Sequence, residues 1–236
     1  MEPYAREEFL ACCIARLIGD AGHVAVGAAS PIPATAVYLQ KFLRNAKLRI
    51  SLLHKRRGNP FTEGSRELFD LAGQGRIDLF FLGGAQIDGD ANINLVQAGE
   101  NRLPGCFGSS YMYFAAKRTI LFREEHSRRV LVPKVEFISA RGWSPPEVMR
   151  NGGPQALLTG KALFAWQGDR RRFRLESVHP GNTAREIREQ TGFEFDAPGQ
   201  VPETPAPSMA ELKAIRTEVK PEIAANYPGF AARVWP

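Results

Sequence analysis

The sequence predicts an open α/β fold: a mainly parallel sheet with flanking helices, in a single domain spanning residues 1–236. Three observations carry this expectation. Short apolar runs alternate with segments of helical period from Glu7 to Leu82, the order strand, helix, strand, helix, strand that builds crossover connections. The run Ile77–Leu82 (Ile-Asp-Leu-Phe-Phe-Leu) is of the nearly continuous hydrophobic kind that a parallel sheet buries on both faces. Gly-rich loops then follow strand-like segments, where the ligand crevice of open α/β sheets lies.

Taken in order, Glu7–Ile18 places Phe9, Leu10, Cys13, Ile14, Leu17 and Ile18 at the spacing of an amphipathic helix that Gly19-Asp20 ends. Cys13 reads as core, with Cys12 flanking it. His23–Val26 reads as a short buried strand and Gly27–Pro31 as a turn. Ala34–Asn45 returns to helical spacing through Val37, Leu39, Phe42 and Leu43. Leu48–Leu53 is the next strand, Ser65–Gln74 the next helix, and Ile77–Leu82 the strand after it. Thr119–Arg123 and Arg129–Val132 are strand-like. Ala162–Gln167 and Arg172–Val178 form a hairpin turned at Gly168-Asp169. His179–Thr183 leads into a helix at Ala184–Gln190. Residues 196–220 comprise a Pro-rich stretch to Pro207 and a C-terminal helix packing on the domain. Ser208-x-x-Glu211 is the capping box of that helix, which runs to about Val219.

Composition narrows the class. With 44% hydrophobic and 24% charged residues the chain has the balance of a globular protein, not a disordered one. No apolar run reaches the ~18–20 residues of a membrane helix. The start, Met1-Glu2-Pro3-Tyr4, lacks the layout of a signal peptide, so a cytoplasmic location without membrane association is expected. Cys12, Cys13 and Cys106 give neither a disulfide framework nor a CxxC. HExxH, metal-spaced DxD and GxSxG are missing too, so neither a metal nor a serine nucleophile is expected. The net charge of +6 favours an anionic partner such as a phosphorylated cofactor. Its clusters, Lys55-Arg56-Arg57 and Arg170-Arg171-Arg172, are not interleaved with aromatics, so they read as solvated turns and no nucleic-acid partner is expected.

Two loops could carry chemistry. In Gly83-Gly84-Ala85-Gln86-Ile87-Asp88-Gly89-Asp90-Ala91-Asn92-Ile93-Asn94, the paired glycines permit a close approach of backbone to a ligand. The polar set Gln86, Asp88, Asn92 and Asn94 offers donors and acceptors, which equally suit a loop that satisfies its own backbone. The second loop is Pro104-Gly105-Cys106-Phe107-Gly108-Ser109-Ser110, ahead of an apolar segment starting at Tyr111. Successive N–H groups there suit an anion or oxyanion site. Cys106 reads as a small loop residue; as a nucleophile it would need a base among His23, His54, His126 and His179.

These pieces together resemble the B-type chain of glutaconate-type family I CoA-transferases. The telling segment is Phe81–Asp88 with Gly89 and Asn92-Ile93-Asn94, close to the family's GGAQID-x-x-GN-x-N. Val26-Gly27 with Pro31, Gly105–Ser110 where the family has GxGG, Gly142-Trp143, His179-Pro180-Gly181-x-Thr183 and Thr191–Phe195 support it. The resemblance covers nearly the whole chain and implies a CoA-transferase/NagB-RpiA-like sheet. It also implies a homologous A-type subunit as partner, in a heterodimer or heterotetramer with a shared active site. Coenzyme A would enter as substrate thioester, exchanged between an acyl-CoA and a carboxylic acid. Amides of Gly105, Gly108 and Ser109 would hold the oxyanion, and Gly83, Gly84, Gln86, Asn92, Asn94, Cys106 and Phe107 would line the CoA site. Where the family carries its nucleophilic glutamate, this sequence reads Leu52-Leu53-His54-Lys55, with no carboxylate before Glu63. His54 stands at that position as a possible base or donor, or as a plain strand-end residue, and the neighbouring cations could meet CoA phosphates. A related branch also lacks the glutamate: hydrolases that open a ring in CoA-linked steroid catabolites, using a glutamate of the A-type subunit. A CoA-dependent hydrolase is therefore the alternative to a transferase, and a non-catalytic acyl-CoA-binding subunit a third.

Overall fold

The computed structural model describes residues 4–53, 55 and 59–236. Seven strands form one mixed sheet. They are β1 (His23–Val26), β2 (Arg49–Leu52), β3 (Leu79–Leu82), β8 (Arg118–Arg123), β9 (Gly153–Thr159), β10 (Ala162–Gln167) and β11 (Arg172–Val178). Between β3 and β8 lie the two-residue strands β4 (Gln86–Ile87), β5 (Ile93–Asn94), β6 (Gln97–Ala98) and β7 (Asn101–Arg102), paired as two small ribbons. The large sheet runs β11-β10-β9-β8-β3-β1-β2; β1–β2 and β8–β9 are parallel, and β9-β10-β11 is an antiparallel meander. The chain gathers into two compact units: residues up to Leu68 with Ile77–Leu79 and Ala206–Pro236, and Phe69–Arg76 with Phe80–Pro205.

In the first unit, α1 (Arg6–Ile18) packs on α2 (Pro31–Leu43). The α1 N-terminus is closed by the Glu8 carboxylate, which accepts from Ala5 N–H at 2.9 Å. Gly19, at φ +60, takes the left-handed turn that ends the helix. Cys12 and Cys13 are both buried, so both are core, and burial pushes each thiol up to about 12. β1 is held by Asp78, whose carboxylate accepts from the N–H groups of Gly22 and His23 at 2.8 and 2.9 Å.

The C-terminal segment extends beyond the expected end at Val219. It forms α6 (Met209–Ala214), a π-helical turn at Ile215–Val219, α7 (Lys220–Asn226) and α8 (Pro228–Val234). Pro221 sits in the first turn of α7, where its missing N–H costs little. Two buried carboxylates tie this segment to α1. Glu8, only 1% exposed, accepts both arms of Arg216 at 2.8 Å and the Trp235 indole N–H at 3.0 Å. Glu211 accepts from Arg16 at 2.9 Å and Arg44 at 3.2 Å while capping Ser208.

In the second unit, the expected hairpin is β10–β11, but its turn spans residues 168–171 and its left-handed residue is Arg171 at φ +51. Arg129–Val132 is not a strand. Val130 and Leu131 both donate to the Ser127 carbonyl in a turn, leaving Leu131 one bridge to Ile87. α4 (Ser109–Ala115) and α5 (Ala184–Gln190) belong to this unit, and α3 (Ser65–Gly73) is divided between the two units after Leu68. Among the described residues no helix is long and apolar enough to cross a membrane.

Candidate functional site

β3 is fully buried and delivers the chain directly into Gly83-Gly84. A Cβ on Gly84 would stand 2.8 Å from Gln86 O and from the Ile93 side chain, so the glycine serves a close approach of protein to protein. The polar side chains that follow are tightly engaged. Gln86 Oε1 accepts from Asn94 Nδ2 at 2.7 Å and from Glu136 N at 3.1 Å, and Gln86 Nε2 donates to the Glu136 carboxylate at 2.7 Å. Asn94 is fully buried; its Oδ1 accepts from Val96 and Gln97 N–H. Asp88 accepts from the amides of Asp90, Asn92 and Val135, and Asn92 Oδ1 accepts from Gly142 N at 3.2 Å. The Gly83–Asn94 loop is thus a braced rim whose side chains satisfy one another and the nearby backbone.

The Gly105–Ser109 loop is built differently. Gly105 (φ +98) and Phe107 (φ +41) both take the left-handed region. Among the described residues none accepts from the N–H of Gly105, Cys106, Phe107 or Gly108. The Ser109 N–H, expected as an oxyanion donor, is instead given to the Cys106 carbonyl at 2.7 Å, because the chain is already turning into α4 there. Four amides from Gly105 to Gly108 remain available. The loop is seated by Gly108: a Cβ there would lie 2.0 Å from Phe69 Cζ, so only glycine fits against that ring. Phe69 in turn meets Phe107 at 6.0 Å and Tyr111 at 5.7 Å between centroids. Ser110 Oγ is buried with no hydrogen-bond partner among the described residues.

The described histidines, His23, His126 and His179, are engaged away from Cys106. His23 Nε2 is bonded to Ser51 Oγ at 2.7 Å, buried between β1 and β2. His126 lies between Thr159 Oγ1 and Thr191 Oγ1 at 2.8 and 3.1 Å, and burial lowers it to about 4. His179 is buried between Thr204 Oγ1 at 2.9 Å and the Thr159 carbonyl at 3.0 Å. The His-Pro-Gly-x-Thr segment is therefore structural: His179 ties β11 to the end of β9, and Thr183 caps α5 by a reciprocal pair with Glu186. His54 lies outside the described residues, as do Arg56 and Arg57. Glu63, the first carboxylate after that stretch, is exposed and paired with Arg66. Of the second arginine cluster, Arg170 and Arg172 share Asp196, and Arg171 stacks over Trp143 at 3.5 Å. Among the described residues no three His, Cys, Asp or Glu side chains gather as a metal site.

The sequence and the fold have known counterparts. The chain is 34% identical over 153 residues to the B-type subunit of 3-oxoadipate CoA-transferase from Pseudomonas knackmussii, covering 60% of this chain and 58% of that one. It is 27% identical over 168 residues to the IpdB subunit of the cholesterol ring-cleaving hydrolase of Rhodococcus jostii, covering 66% and 64%. The matches thus span less than two thirds of these relatives' own length. The fold superposes on glutaconate coenzyme A-transferase from Acidaminococcus fermentans with a TM-score of 0.81 at 22% identity, over 95% of this chain and 97% of that one. It superposes on the decarboxylase AibA/AibB with a TM-score of 0.78 at 24% identity, over 98% and 99%. At these identities the two superpositions speak for the fold. With residues 14–190 matching the family model for coenzyme A transferases, the chain belongs to the coenzyme A transferase family.

Proposed function

We propose that this chain is the B-type subunit of a heteromeric enzyme acting on acyl-CoA thioesters, its active site completed by a homologous A-type subunit. The observation that carries this reading is the run of unclaimed amides from Gly105 to Gly108. When a nucleophile adds to a thioester carbon, the carbonyl electrons move onto oxygen. Preformed N–H donors at that oxygen then stabilise the adduct, each worth roughly 10²–10³ in rate. Cys106 and Phe107 flank the reacting thioester in this reading. Gln86, Asn92 and Asn94 brace a second loop through the bonds described above, with Gly83 and Gly84 at its start, and in this reading that loop lines the CoA site. Coenzyme A is part of the substrate, and no metal enters.

The first reading of the reaction is exchange of CoA between an acyl-CoA and a free carboxylic acid, which the family membership supports. A carboxylate adds to the thioester carbon and expels CoA thiolate, giving an anhydride. The thiolate then attacks the anhydride's other carbonyl, forming a new thioester and releasing the donor acyl group as its carboxylate. Where the first carboxylate belongs to the enzyme, the acceptor acid takes CoA from that thioester by the same two steps. Leu53-His54-Lys55 supplies no carboxylate, so the attacking group comes from the A-type subunit or from the acceptor acid itself. The same departure favours a second reading, hydrolysis, in which water is the final acceptor, and the similarity to IpdB points the same way.

Co-expression of the chain with an A-type subunit tests both. Acyl-CoA loss that requires an added carboxylic acid supports exchange, and inactivation by hydroxylamine only when acyl-CoA is present would place the attacking carboxylate on the enzyme and not on the acceptor acid. Loss in water alone supports hydrolysis. Tight CoA binding without turnover by the assembled complex would make the chain a binding subunit and refute the catalytic proposal.

A further inference from the structure

Phe107 is the most exposed aromatic residue described, at 85%, yet it occupies a left-handed backbone position that glycine adopts without strain. A bulky side chain held there against its own backbone preference, and in water, asks for a reason at the site. Its ring is not alone. Phe69 lies 6.0 Å away and Tyr111, 42% exposed, lies 5.7 Å beyond Phe69, so three rings line one side of the loop. Tyr111 is fixed by its hydroxyl, which donates to the Phe69 carbonyl at 3.3 Å and lies 2.5 Å from the Cβ position of Gly73. From Leu103 to Ala116 the sequence has no charged residue.

Building on the reading of Gly105–Gly108 as the carbonyl-binding amides, we infer that Phe107, backed by Phe69 and Tyr111, selects an uncharged apolar acyl group over one ending in a second carboxylate. The acyl substituent is bonded to the carbonyl carbon, so it must lie within a few ångströms of the loop holding the oxygen. An apolar acyl chain or ring there covers the Phe107 face and removes it from water. A terminal carboxylate would be desolvated against three rings with no cation on this segment to pair it. Phe107 is a specificity residue in this account, and it takes no part in the bond changes.

The test uses the co-expressed complex and two thioesters of similar size, cyclohexanecarbonyl-CoA and glutaryl-CoA. The wild type should prefer the first in kcat/KM. Phe107→Gly should lower that preference by about tenfold, mainly through KM, and Phe107→Leu should keep most of it. Acetyl-CoA, too short to cover the ring, reports any effect of the substitutions on the loop amides. The preference is read as the ratio of kcat/KM for the two larger thioesters, in which that effect cancels. Phe107→Gly should also melt no lower than the wild type, since glycine suits this backbone. Unreactive thioether analogues of the two substrates, titrated by calorimetry, separate this inference from the catalytic reading. Selective binding that depends on Phe107 without any turnover upholds the inference and sinks catalysis. Turnover with a preference for glutaryl-CoA, or a preference unchanged in Phe107→Gly, overturns the inference alone. Failure of the complex to bind either analogue overturns both.

Discussion

Replacing Gly108 by alanine places a methyl group where the Phe69 ring already stands. The Cβ position lies 2.0 Å from Cζ and 2.4 Å from Cε1 of that ring. Restoring an ordinary contact of about 3.5 Å requires a displacement of roughly 1.5 Å by the loop or the ring. The ring can swing only by giving up its contacts with Phe107 and Tyr111, so the loop shares the movement. Overpacking of this kind costs about 1–3 kcal/mol of stability, small enough for the chain to remain folded. A shift of about 1 Å in the donors should cost about 10²-fold in kcat, with KM changed far less. The assay is steady-state turnover of acyl-CoA by the co-expressed complex, beside thermal melts of the chain. Phe69→Leu in the Gly108→Ala background makes room for the methyl group and should recover most of the loss. A Gly108→Ala protein with wild-type kcat would show that the loop position does not matter to the chemistry and would refute the reasoning.

Other consequences concern stability and thiol chemistry. Glu8→Gln weakens the Arg216 fork and the Trp235 bond in a buried position, and should cost about 2–4 kcal/mol in urea unfolding. Burial by itself would raise the Glu8 and Glu211 carboxyls, but bonds from Arg216 and Arg16 and from backbone amides hold both below the ordinary 4.5. Their contribution is complete above about pH 4.5 and is lost as pH falls through the lowered values. The melting temperature should drop there, and less so in the Glu8→Gln, Glu211→Gln double variant. His126 acts at higher pH: its value of about 4 against an ordinary 6.5 means that the unfolded chain takes up the proton first. Stability present above pH 6.5 should therefore decline by roughly 3 kcal/mol towards pH 4, a slope that His126→Gln should flatten. Of the three thiols only Cys106 is accessible, so a disulfide-exchange reagent should titrate one thiol in the native chain and three in urea. Cys106→Ala keeps the loop amides and should leave kcat intact while raising KM for acyl-CoA.

Much of the architecture could be read in advance because single physical signals dominated. β3 and the helix α1 were legible from a continuous apolar run and from a clean 3.6 period, and the β10–β11 hairpin from alternation around a Gly-Asp turn. β9 carries a weak strand signal in the sequence because it opens Gly153-Pro154-Gln155 and only its last four residues are buried, so its beginning resembles a loop. Arg129–Val132 has strand-forming residues, but the Ser127 carbonyl captures the Val130 and Leu131 amides in a turn, a competition that residue type does not report. The C-terminal helices continue past Val219 because proline is tolerated in a first turn. At the site, glycine content located both loops. What composition could not show is that Gln86 and Asn94 are consumed by Glu136, Val96 and Gln97, or that the Ser109 amide turns back onto Cys106. Those outcomes are set by backbone direction, and the positive φ of Phe107, the departure that matters most, falls on a residue that ordinarily avoids it.

The most direct test of the account is the carbonyl stretch of a thioester bound at this loop. Isotope-edited infrared difference spectra of an acyl-CoA carrying a ¹³C carbonyl, taken on the co-expressed complex under conditions too cold for turnover, report the polarisation of that bond. Donors from Gly105–Gly108 should move the band to lower wavenumber than in water, and Gly108→Ala should move it back. A bound thioester whose band matches that of the free compound, unchanged by Gly108→Ala, would contradict the central claim.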